Sequence, residues 1–82
     1  MENAEIERIA DYIRDIDEGL DKLDCREITI KRHITKLHLT IEHLMDMACN
    51  TKDPQVKVLL ETLESKARRC KEYIETRLTV KN

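Results

Sequence analysis

The sequence predicts an all-α protein, a small three-helix antiparallel bundle, and three observations lead to that fold class. An apolar beat alternating between three and four residues runs through Ile6, Ile9, Ile13, Ile16, Leu20 and Leu23. After a single break at Glu27 it resumes through Ile30, Ile34, Leu37, Ile41, Leu44 and Ala48. A second series follows the only proline, through Val56, Leu60, Leu63, Ala67, Cys70 and Ile74. Such spacing places each series on one stripe of a helix, the pattern of a bundle or coiled-coil seam. The third observation is compositional: 82 residues are 40% apolar and 39% charged, with one Gly, one Pro, no Phe and no Trp. Few breakers and abundant charge suit long solvent-facing helices rather than sheets or an irregular enzyme.

The first helix is expected over residues 3–18. Gly19 is the only glycine and is placed to close that helix in the left-handed conformation, with Leu20 as the hydrophobic contact after it. The second helix is expected over 25–49, opened by Asp24-Cys25-Arg26-Glu27 read as a variant capping box, an acceptor followed three residues later by Glu. The third is expected over 54–78. Asp53 is a suitable N-cap, and Pro54 stands at the first helical position, where its missing N–H costs nothing. Lys66, Arg68, Arg69, Lys71 and Arg77 crowd the later turns, where cations complement the helix dipole. These three helices make one domain, 1–82, near the lower size limit for an independent core.

An alternative fold keeps the beat unbroken from Leu23 to Ile30 and joins residues 3–49 into one helix of roughly 70 Å. That long-helix hairpin leaves Ile6, Ile9, Ile13 and Ile16 bare, so it has to be completed by oligomerisation or by a partner. Charge favours three helices. Residues 1–27 carry ten acids against four bases, and residues 51–82 carry eight bases against five acids. An up-down-up bundle lays the acidic first helix parallel to the basic third one, which the hairpin does not.

Chemistry-bearing constellations are sparse. His33, His38 and His43 recur every five residues, which turns neighbours by roughly 140° on a helix, so they do not converge on a metal. Asp15-Ile16-Asp17-Glu18-Gly19 resembles a calcium loop in outline. Its Gly falls one position early, however, and Arg26 occupies the place of the terminal bidentate Glu. No Gly-rich phosphate loop and no serine nucleophile motif occurs. The expectation is no catalytic, cofactor or metal site, and no enzyme. The excess of bases is too small to predict nucleic-acid binding, and no apolar run is long enough for membrane insertion. Cys25, Cys49 and Cys70 are odd in number and lack C-x-x-C spacing, which points to a reduced intracellular setting, cytoplasmic or nuclear. Cys70 lies on the seam as a small core residue, and Cys25 and Cys49 fall near helix ends.

The expected function is therefore protein–protein interaction: a small helical adaptor or complex subunit binding partner helices through apolar helix faces. Ile30, Ile34, Leu37, Ile41, Leu44, Leu60, Leu63 and Ile74 form the expected core. Ile9, Ile13, Ile16 and Leu39 are the expected partner-binding residues. Leu39 lies opposite the seam, while Tyr12, Met45, Met47, Leu59 and Tyr73 flank it. The alternative is a self-assembling structural coiled coil, a homo-oligomer.

The stretch Lys66-Ala67-Arg68-Arg69-Cys70-Lys71-Glu72-Tyr73-Ile74 resembles the third helix of microtubule-interacting-and-trafficking domains. That family shows a basic residue and Ala there, then an aliphatic-Lys-acid-Tyr-aliphatic ending. The second helix differs, with His33 where a Tyr is usual and Lys36 where a small residue packs. The same stretch is also similar to the final helix of chaperone-binding bundles of the BAG type. The first resemblance implies a three-helix adaptor that takes short peptides in its interhelical grooves.

Overall fold

A computed structural model describes residues 2–24 and 26–80, with side chains for 4–24 and 26–77. It contains three helices, α1 (Glu2–Glu18), α2 (Glu27–Asn50) and α3 (Pro54–Val80), and no strand among the described residues. Residues 3–49 are thus two helices, and the chain forms a three-helix bundle measuring 44 × 18 × 16 Å. Helices α2 and α3 pair as an antiparallel hairpin across the short link at residues 51–53. Helix α1 runs parallel to α3: Glu5 and Ile6 lie beside Val56 and Leu60, and Asp17 lies beside Lys66 and Cys70.

The seam positions build the core. Ile6 and Ile13 from α1, Ile30, Leu37, Ile41, Leu44 and Ala48 from α2, and Leu60, Leu63, Ala67, Cys70 and Ile74 from α3 are all buried. Ile34, expected in the core, is only partly buried and packs against its edge, as do Leu20 and Leu23 beyond the end of α1. The small residues Ala67 and Cys70, at 0% and 1% exposure, let helix backbones approach closely at the middle of α3. Fully burying an aliphatic side chain contributes about 1.5–3 kcal/mol, so this shared stripe dominates stability over exposed ion pairs worth about 0–1 kcal/mol each.

The link between α1 and α2 differs from expectation in two respects. Gly19 is not left-handed: it has φ −93° and ψ 4°. Its N–H is shared between the carbonyls of Asp15 (3.1 Å) and Ile16 (3.2 Å), and its own carbonyl accepts from Lys22 N–H at 3.0 Å. The helix therefore tightens into one 3-10 turn, Leu20–Lys22, before the chain extends at Leu23. A Cβ at Gly19 would stand 3.1 Å from the Asp15 carbonyl, a tight contact that a shift of a few tenths of an ångström relieves, and the backbone angles make no demand for glycine.

The second difference is the start of α2, two residues later than expected, with Arg26 in the cap position and no side-chain cap bond. Asp24 spends its carboxylate nearby instead. It accepts from the Arg26 backbone N–H at 3.0 Å and from Arg26 Nε at 2.8 Å, with Thr29 Oγ1 donating at 3.3 Å. A short acidic side chain bonding two residues ahead competes with capping for the same acceptor. The Arg26 side chain holds the Asp24 carboxyl down at about 2. The entry to α3 follows expectation: Asp53 Oδ1 accepts from Gln55 N–H at 2.9 Å, with Pro54 in the first turn.

Candidate interaction surface

The four residues expected to meet a partner separate into two groups. Ile13 has no exposed surface, and Ile9 and Ile16 are half-buried against the core. All three lie on the face of α1 that α2 and α3 cover, so the bundle itself occupies them. Leu39 is 58% exposed on the outer face of α2.

What covers α1 is visible in the contacts along its edges. Toward α2, Glu5 meets the His43 ring at 2.5 Å, and the Lys36 ammonium sits 4.4 Å above the Tyr12 ring. Toward α3, Asp17 lies 3.8 Å from Lys66 Nζ and accepts a long bond from the Cys70 thiol. This is where the acidic first helix and the basic third helix meet. The Tyr12 hydroxyl is buried with no hydrogen-bond partner among the described residues. Burial, and then the nearby Cys70, push the Tyr12 phenol up. Burial first, and then the Asp17 carboxylate, push the Cys70 thiol up as well. A thiol kept protonated inside the bundle is a packing group, not a nucleophile. Cys49 is exposed, and Cys25 lies outside the described residues.

The histidines do not gather. His38 faces Glu42 at 3.3 Å and His43 faces Glu5, and among the described residues no three His, Cys, Asp or Glu side chains group as metal ligands. Among the same residues, no helix is long and apolar enough to cross a membrane.

Of the surface depressions among the described residues, two bear on partner binding. The first lies between α2 and α3 on the side away from α1, about 350 Å³, lined by His38, Ile41, Met45, Arg68 and their neighbours. All of its charged lining residues but Glu72 are paired within the chain: Arg68 to Glu64 at 2.8 Å, Lys71 to Glu75 at 3.4 Å, and His38 to Glu42. Arg68 Nη2 also donates to Met45 Sδ at 3.3 Å.

The second is a shallow open trough of about 510 Å³ on the outer face of α2, formed by Ile28, Lys31, Arg32, Thr35, Lys36 and Leu39. Ile28 is 64% exposed and stands three helical turns before Leu39, on the same side of the helix. The two large aliphatics thus bracket a basic surface. The sequence pattern singles out Leu39 but not Ile28. The available signal was the eleven-residue spacing, masked because Ile28 sits beside the seam residue Ile30 in an Ile-Thr-Ile run.

The chain matches no protein-family profile, no curated protein and no solved structure.

Proposed function

We propose that this chain is a non-enzymatic interaction module, a small helical subunit or adaptor of a larger intracellular complex that binds partner helices through an exposed helix face. The observation that carries the reading is the pairing of a self-contained core with the bracketed trough on α2. The seam isoleucines of α1 are taken up inside the bundle, so the fold has no need of a second chain to cover them. Ile28 and Leu39 are left outside, three turns apart, where each would gain on the order of 1.5–3 kcal/mol if fully covered. Single exposed aliphatics are ordinary; a pair on one helix face at helical spacing is the arrangement that a docking helix reads. An exposed free thiol at Cys49 suits a reducing compartment.

The rival is the self-assembling coiled coil. It draws its strength from an uncovered seam on residues 6–16, and that seam is inside. The test combines mass against concentration with titration of a panel of amphipathic helical peptides. The proposal expects one constant monomer mass and saturable binding of some helical peptides, lost in Ile28→Ser/Leu39→Ser. Mass that rises with concentration, with no peptide bound, supports the rival instead.

A further inference from the structure

The helix-binding reading leaves open what kind of helix is bound, and the charge on α2 narrows it. Between Ile28 and Leu39 the outer face presents Lys31, Arg32 and Lys36. Lys31 is matched at the edge by Glu27 at 2.9 Å, and Lys36 leans over the Tyr12 ring of α1. Arg32 is exposed and joins no ion pair among the described residues. The positive end of the α2 dipole lies at the same end of the helix. Further along the same face the sign reverses, at Glu42 and Asp46. The favourable zone for a negative partner is therefore bounded, about 16 Å long at 1.5 Å per residue.

We propose that the segment of α2 from Ile28 to Leu39 docks an acidic amphipathic helix of a partner protein. In that arrangement the partner's apolar stripe covers Ile28 and Leu39 while its carboxylates meet Lys31, Arg32 and Lys36. The inference rests on the helix-binding reading above and deepens it.

A second copy of this chain does not cover both Ile28 and Leu39 with its charges matched: the antiparallel register that pairs Arg32 with the copy's Asp46 and Lys36 with its Glu42 sets Leu39 on Leu39 but leaves Ile28 opposite Asn50. The register that sets Ile28 against the copy's Leu39 also sets Lys31 against Lys36, so like charges crowd a two-fold axis. The register that sets Arg32 against Glu42 places Ile28 against Asp46, leaving the aliphatic facing a carboxylate. An anionic membrane is equally ill-suited, because Glu42 and Asp46 on the same face would be pressed toward lipid of their own sign. A short acidic helix ending before Glu42 meets neither conflict.

The test is an amide-shift titration of the labelled full chain with a synthetic, end-blocked helical peptide of about four turns. The peptide carries Leu on one stripe and Glu beside it, and a matched peptide carries Lys in place of Glu. Vesicles of phosphatidylserine and phosphatidylcholine make a third arm. The expected result is saturable shifts concentrated on residues 28–39 with the Glu peptide, weakening with salt, and none with the Lys peptide. Arg32→Glu, at an exposed site, is expected to weaken Glu-peptide binding about tenfold or more with the melting curve unchanged. Equal shifts with both peptides, or shifts confined to the α2–α3 groove, overturn this inference but leave the helix-binding reading standing. Shifts at 28–39 caused by vesicles rather than by the peptides, or a rise in mass with concentration that Leu39→Ser abolishes, overturn it in favour of lipid or a second copy. Silence toward every peptide overturns both readings.

Discussion

Helix α1 and the α2–α3 hairpin are built on the same apolar beat, yet they are held differently. In the hairpin, two helices of 24 and 27 residues face each other along most of their length and supply ten of the twelve buried core residues. Helix α1 has 17 residues and adds only Ile6 and Ile13 to the fully buried core; Ile9, Ala10, Tyr12 and Ile16 pack partly buried at its margin, beside the edge contacts of Glu5 to His43, Lys36 over Tyr12, and Asp17 to Lys66. It also carries a buried hydroxyl without a partner among the described residues. A stripe of given pattern is thus worth as much as the surface that covers it. Local opening free energies follow such differences, so α1 is expected to open before the hairpin.

The comparison breaks most sharply at Ile13. Replacing this fully buried side chain by a carboxylate, Ile13→Asp, is expected to cost at least about 4 kcal/mol through desolvation of the charge. Amide exchange should show protection lost along α1 before α2 and α3, and uniform loss would mean the three helices open as one unit. Leu60→Ala opens a cavity where the hairpin meets the start of α1, and is expected to cost about 2–5 kcal/mol in urea unfolding. Its effect should fall on all three helices together.

A change of opposite sign sharpens the picture of the α1 attachment. Tyr12→Phe removes the unpartnered hydroxyl and keeps the ring beneath Lys36, so stability should stay level or rise by up to about 1.5 kcal/mol. A clear loss would mean that the hydroxyl makes a bond in solution.

The smallest effect lies in the link between the two regions. Asp24 is held down to about 2 by Arg26, below the ordinary carboxylate value of about 4. A depressed folded-state value gives stability that is present above the ordinary value and is lost as pH falls through the depressed one. Acid titration between those limits should loosen the first turn of α2, reported by the amides of Ile28 to Ile30, and Asp24→Asn should remove that step.

Much of the fold was legible because spacing alone decides which side chains share a stripe. The core members Ile30, Leu37, Ile41, Leu44, Leu60, Leu63 and Ile74 follow from it, and Asp53-Pro54 marks the start of α3 by local chemistry. The details of the first link were less legible. Glycine tolerates both a left-handed and a right-handed end, and the carbonyls of Asp15 and Ile16 decide between them. Asp24 has two candidate donors ahead of it, and the Arg26 backbone and guanidinium win it from the cap. The surface divided in the same way. Leu39 stood out because it opposes the seam, whereas Ile28 was hidden beside Ile30. For Ile9, Ile13 and Ile16 the stripe reads identically whether the chain's own helices or a foreign one covers it, and only the folded position of α1 separates those cases.

That folded position is most directly tested by small-angle X-ray scattering of the full chain over a range of concentrations. A closed three-helix bundle predicts a compact particle of monomer mass at every concentration, with a backbone radius of gyration near 13.5 Å and a longest dimension near 44 Å before hydration. A rod approaching roughly 70 Å, or a mass that doubles with concentration while the radius grows, would contradict it.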